Sequence, residues 1–148
     1  MKQTTMRIVL GIIIMLGLVV SAFACTTETD SDIGRIQKYA DPITEDALIG
    51  MNEDDYAKFS KHFDETMRDA LPEANFVHLR DTMKRVIGDY KSKEFWMVEK
   101  QGEYTVVRYK TRYTTEPADV IVTVSFHEVE GETYLAGIWF DSPKLREQ

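Results

Sequence analysis

Two periodicities divide the chain. From Tyr56 to Leu71 the apolar residues Tyr56, Phe59, Phe63, Met67 and Leu71 recur at steps of three and four, the spacing that stacks side chains on one face of a helix. The stripe reads as one helix or as two short ones with a bend near His62-Phe63-Asp64. Pro72 opens a further helix with its own stripe of Phe76, Leu79, Met83, Val86 and Ile87, and Gly88 is placed to end it in the left-handed conformation. Upstream, Asp41-Pro42 reads as a helix start, with Asp41 as cap and Pro42 at the first helical position, the helix running to about Met51. Asn52 and Asp55 then read as a cap for the next helix.

After Tyr90 the pattern changes to segments rich in Val, Tyr, Phe, Trp and Thr, divided by turn signals at Gln101-Gly102-Glu103, Glu116-Pro117 and Glu130-Gly131. Four strands are expected, near 90–100, 104–114, 119–128 and 133–141. Register in the first hairpin follows from charge. A two-residue turn at Gln101-Gly102 would set Lys93 opposite Lys110 and Lys91 opposite Arg112, whereas a three-residue loop sets Glu94 opposite Lys110, Phe95 opposite Tyr109, Trp96 opposite Arg108 and Met97 opposite Val107. The second register is expected. It turns Phe95, Met97, Val107, Tyr109 and Tyr113 toward the helices and leaves Arg108, Lys110 and Arg112 outside. Helices followed by an antiparallel meander predict an α+β domain, three N-terminal helices packed on a four-stranded antiparallel sheet.

The N-terminus follows a different rule. Lys2 and Arg7 precede an apolar run from Ile8 to Ala24, and the polar stretch TTETDSD follows Cys25. That is the layout of a secretory signal. As a helix the run would span roughly 25 Å, just short of a hydrocarbon core of about 30 Å. Ala22-Phe23-Ala24-Cys25 resembles the lipobox of bacterial and some archaeal lipoproteins, which assigns lipidation to Cys25; ordinary cleavage after Ala24 and an uncleaved helix are the alternatives. The expected organisation is a signal peptide over 1–24, a tether over 25–35 and one domain over 36–148. The protein is expected at the extracytoplasmic face of the cell membrane. Cys25 is the only cysteine, so no disulfide supports the fold.

Removing residues 1–24 takes away Lys2 and Arg7 and moves the formal net charge from −7 to −9. So acidic a chain lacks the basic footprint that neutralises phosphates, which argues against a nucleic acid partner.

The sequence is poor in chemistry. His62, His78 and His127 each sit beside an apolar stripe and not on it, as solvated histidines do. No histidine pair has ligand spacing, so no metal is expected, and there is no Gly-rich phosphate loop and no G-x-S-x-G elbow. No catalytic residue and no cofactor is assigned. Tyr104, Tyr109, Tyr113 and Trp139 are the candidates to line a small-molecule pocket, the other reading being core or sheet face. Asp141, after Trp139-Phe140 in FDSPK, is the one carboxylate candidate; as a strand-end residue before Ser142-Pro143 it would instead cap a turn. The Arg108/Lys110/Arg112 strip is either the wet face of a strand or a contact for anionic headgroups or an acidic partner.

The order DYAKFSKHFDETM, ALPEANFVHL, a glycine-ended helix, SKEF, GEYTVVRYK and a closing GIWFDSPK resembles a prokaryotic family of unknown function, number 3887 among such domains, similar in fold to nuclear transport factor 2. The resemblance spans about residues 36–148. It implies a cone-like sheet wrapped by helices with a cavity between them, in a fold used by enzymes and by pure binders alike. The expectation is a non-enzymatic domain that binds a small apolar ligand or an envelope protein, with Tyr109, Tyr113, Trp139 and Asp141 as ligand-binding candidates. A hydrolase or isomerase using the same cavity is the rival class, and a homodimer through the sheet a third reading.

Overall fold

In the computed structural model, which describes residues 29–148, helix α1 spans Asp30–Glu53 and presents Ile36, Ala40, Ile43, Ala47, Leu48 and Met51 as one buried stripe. The signal segment 1–24, Cys25 and the first residues of the tether lie outside the described residues. The helix begins well before Asp41 and carries Pro42 in its interior. An internal proline forfeits a backbone hydrogen bond and crowds the preceding turn. Here the stripe continues on both sides of it, so packing against the sheet overrides the local stop signal. Helix therefore replaces the expected tether from Asp30 onward.

The aromatic stripe that follows breaks where a bend was expected. Helix α2 spans Tyr56–Phe59 and α3 spans Glu65–Ala70, each capped by an aspartate: Asp55 accepts from the Lys58 N–H and Asp64 from the Met67 N–H. Between them Phe63 bridges Leu135 of the last strand in parallel, which covers part of that sheet edge. Helix α4 spans Glu73–Val86, and Gly88 follows at φ 85°. Phe59 joins these pieces, with ring centroids 4.8 Å from Phe76 and 5.1 Å from Phe63.

Strands β1 (Tyr90–Gln101), β2 (Tyr104–Tyr113), β3 (Val120–Val129) and β4 (Glu132–Asp141) form an antiparallel meander in the order β1-β2-β3-β4, closed by a short α5 (Pro143–Arg146). Val120, Val122, Val124 and Phe126 face the helices as expected, with Val107, Tyr109 and Tyr113 beside them.

The first hairpin corrects the expected register in part. Glu94 lies opposite Lys110 and Phe95 opposite Tyr109, but the turn is two residues, Gly102-Glu103, with Gln101 opposite Tyr104. A bulge at Trp96 reconciles the two, so Met97 pairs with Arg108 and Val98 with Val107. Val98 is therefore the inward residue, and Met97 is exposed on the other face.

Asn52 does not cap a helix. Its amide donates to the Tyr90 carbonyl (2.8 Å) and accepts from the Tyr90 N–H (2.9 Å), fastening the end of α1 to the start of β1.

Candidate functional site

The four ligand-binding candidates fall into three environments and do not converge. Tyr109 is fully buried beneath α1, where its hydroxyl donates to Asp41 Oδ1 at 2.8 Å. Tyr113 is buried beside Tyr90, their centroids 5.9 Å apart. Trp139 lies on the opposite, outer face of the sheet and is 57% exposed. Asp141 is exposed at the end of β4 and paired with Arg146, whose Nε donates to Oδ1 at 2.7 Å; that bond holds the carboxyl below the ordinary aspartate value.

Sequence reasoning passed over a polar seam on the inner face. Asp41 and Glu45 stand one helical turn apart on α1, and Glu45 Oε2 accepts from the Tyr90 hydroxyl (2.9 Å) and from Lys93 Nζ (2.5 Å). Lys93 in turn sits 5.8 Å from the Tyr109 ring centroid. Burial raises the Tyr109 and Tyr90 hydroxyls above the ordinary phenol range, and the carboxylate each donates to adds to the effect. Burial alone raises Tyr113. These groups answer one another: the phenols keep their protons and the carboxylates are held by donors. The signal in the sequence was the i, i+4 spacing of Asp41 and Glu45 beside the Ile36–Ala40–Ile43–Ala47 stripe. Tyr109, Phe126, Val107 and the α1 stripe are buried between helix and sheet.

A cleft of about 420 Å³ opens on this side between the start of α1 and the hairpin ends. Its apolar part is Ile36, Tyr39 and Phe126, and Arg35, Lys100 and His127 stand around it. Tyr39 meets Phe126 edge to face at 5.5 Å. His127 stacks on Tyr104, 5.1 Å between centroids, with its Nε2 3.6 Å from Glu103. His62 bonds Asp46 at 3.1 Å and His78 is solvent-exposed. Among the described residues no three His, Asp or Glu side chains converge to hold a metal ion, and no helix is long and apolar enough to cross a membrane.

The outer face is the more unusual surface. Alternation along β1, β2 and β4 brings Trp96, Met97, Tyr104 and Trp139 to one side of the sheet, all at least partly open to solvent, and Met97, Arg108, Thr123 and Trp139 form one cross-strand row. Trp96 is 46% exposed. Lys110 Nζ lies 5.2 Å from its ring centroid and makes no ion pair among the described residues. The neighbouring cations are engaged, Arg108 with Glu99 at 2.8 Å and Arg112 with Asp119 at 3.0 Å.

Helices followed by a four-stranded antiparallel meander define an α+β domain, an order of elements consistent with the nuclear transport factor 2-like fold. The chain belongs to the family described as "Protein of unknown function (DUF3887)", whose profile matches residues 46–131 of the 148. The matched segment runs from the second half of α1 to the β3–β4 turn, so β4 and Trp139 lie beyond it. A comparison with curated proteins gives no match.

Proposed function

We propose that this protein is a non-enzymatic binding domain, tethered at the extracytoplasmic face of a membrane through Cys25, and that the outer face of its sheet is the surface by which it binds another protein. The observation that carries the reading is the exposure of Trp139 and Trp96, 57% and 46%, on the same sheet face as Met97, Tyr104 and Arg108. Trp, Tyr, Met and Arg are the residue types enriched where proteins meet, and an apolar group of this kind rimmed by charge marks an interaction site more often than a bare surface. That Tyr109, Tyr113, Trp139 and Asp141 do not converge on one cleft favours a protein over a small apolar ligand. The engaged carboxylates of Asp41 and Glu45 favour binding over proton transfer.

The tether rests on the sequence Ala22-Phe23-Ala24-Cys25 after its apolar run. Replacement Cys25→Ser is expected to release the protein from membranes if the anchor is a lipid; retention would make the anchor the uncleaved helix. For the surface, a photo-crosslinking amino acid at Trp139 in the full-length chain in native membranes is compared with the same group at His78. The reading expects a discrete adduct from 139 that Lys110→Glu abolishes, and none from 78. Equal labelling from both positions would overturn it. Sedimentation of the purified protein over a concentration series decides whether that partner is a second copy.

A further inference from the structure

The start of α1 fixes which end of the domain meets the membrane. Arg35, Ile36 and Tyr39 share the cleft with Lys100, Glu103, Phe126, Glu128 and Thr133, so α1 begins at the hairpin end of the sheet, beside the turns Gly102-Glu103 and Glu130-Gly131. Asn52 at the other end of the helix is bonded to Tyr90, where β1 begins. Helix starts at Asp30, and only Thr26 to Thr29 separate Cys25 from it. Five residue steps reach at most about 18 Å when fully extended.

Resting on the tether proposed above, we infer that the hairpin end is the membrane-proximal pole and that the sheet stands up from the bilayer with its outer face free. Partner binding then takes place close to the membrane. Trp139 lies seven residues along β4 from Glu132, roughly 23 Å at about 3.3 Å per residue, so with the tether and the first turns of α1 it stands within about 50 Å of the surface. The partner this geometry fits is a protein resident in or on the same membrane.

In the competing arrangement the aromatic face lies on the bilayer, and that face offers an anionic leaflet little unpaired positive charge. The proximal pole carries exposed Asp30, Glu103, Glu128, Glu130 and Glu132 against exposed Arg35 and Lys100, and the outer-face cations Arg108 and Arg112 are already paired. These acids hold the proximal pole off an anionic leaflet over roughly a Debye length, about 10 Å at 0.1 M salt, so the orientation rests on where α1 begins and not on attraction to lipid.

The test places one fluorophore on the full-length, membrane-anchored chain, at Gln101→Cys or at Glu147→Cys, in vesicles of phosphatidylcholine and phosphatidylglycerol carrying an acceptor lipid. Both positions are exposed and neither belongs to the outer aromatic group. Energy transfer is expected to be stronger from 101 than from 147. Adding salt is expected to raise it at 101 in the anionic vesicles and to leave it unchanged in pure phosphatidylcholine. Equal transfer from the two positions, or stronger transfer from 147, would overturn the inference and place the domain on its side or inverted. Flotation of the vesicles separates this from failure of the tether itself: a chain that does not float with lipid contradicts both readings, whereas one that floats with the wrong transfer pattern contradicts only this one.

Discussion

The indole of Trp139 lies directly over Gly137: a Cβ at position 137 would fall 2.3 Å from Cη2 and 2.8 Å from Cζ3. Two residues apart on one strand, they share the outer face, and the missing side chain is what lets the ring lie down on the sheet. Gly137→Ala is expected to lift the indole into solvent. Tryptophan emission should shift to the red and quencher access should rise, with the far-ultraviolet dichroism unchanged and stability lowered by about 1 kcal/mol. The crosslink from Trp139 should weaken with it. An unchanged emission spectrum would show that the ring does not depend on Gly137.

Asn52 is the joint between the helical layer and the sheet. Asn52→Ala removes both bonds to Tyr90 and leaves a half-buried backbone N–H and C=O without their partner. At roughly 1 kcal/mol for each net hydrogen bond the loss is about 2 kcal/mol, read as a lower urea midpoint at constant slope. Asn52→Asp should keep the bond from the Tyr90 N–H and recover part of it. A variant as stable as the parent would remove Asn52 from the account.

Much of the architecture was legible because period and type agreed. The 3.6-residue stripe from Phe76 to Ile87, the stop at Gly88 and the alternation Val120-Val122-Val124-Phe126 each state their element locally. Two features were hidden because tertiary packing decided them. Asp41-Pro42 is a sound helix start in isolation, yet α1 runs through it; Asp41 serves as the acceptor for a tyrosine 68 positions away. The bulge at Trp96 has no glycine or proline to announce it, and it moved Met97 from the expected inner face to the outer one. The candidate surface was legible only residue by residue. Trp139 was visible as a candidate, but its company of Trp96 and Met97 depends on strand pairing, and no local pattern carries that.

Tyrosine ionisation gives a direct check on the inner face. Burial raises Tyr90, Tyr109 and Tyr113 above the ordinary value of 10.0, so above that pH the unfolded chain sheds protons that the fold retains. The stabilisation is complete below pH 10 and is lost as pH rises through the folded values. Phenolate absorbance from these three is expected only with loss of tertiary signal. A single phase covering all seven tyrosines while the fold is intact would contradict the buried seam.

Acid tests the opposite end of the domain. Glu116 is buried in the β2–β3 loop. Burial pushes its carboxyl up, but the Ser142 side chain and the N–H groups of Ala118 and Lys144 outweigh this and leave it below the ordinary 4.5. Its contribution is therefore present above pH 4.5 and is lost as pH falls through the folded value. Glu116→Gln should lower Tm at pH 7, and the gap to the parent should close on acidification. A gap that widened in acid would reverse the sign.

The outer face is tested most directly by oxidative footprinting of the full-length protein in its native membrane against the same protein purified in detergent. Trp96, Met97 and Trp139 all oxidise readily when exposed, and they belong to one surface. The account predicts that all three are protected together in the membrane and become reactive on purification, while half-buried Tyr134, away from that surface, is labelled equally in both preparations and reports no change in fold. Equal oxidation of the three residues in both preparations would contradict it.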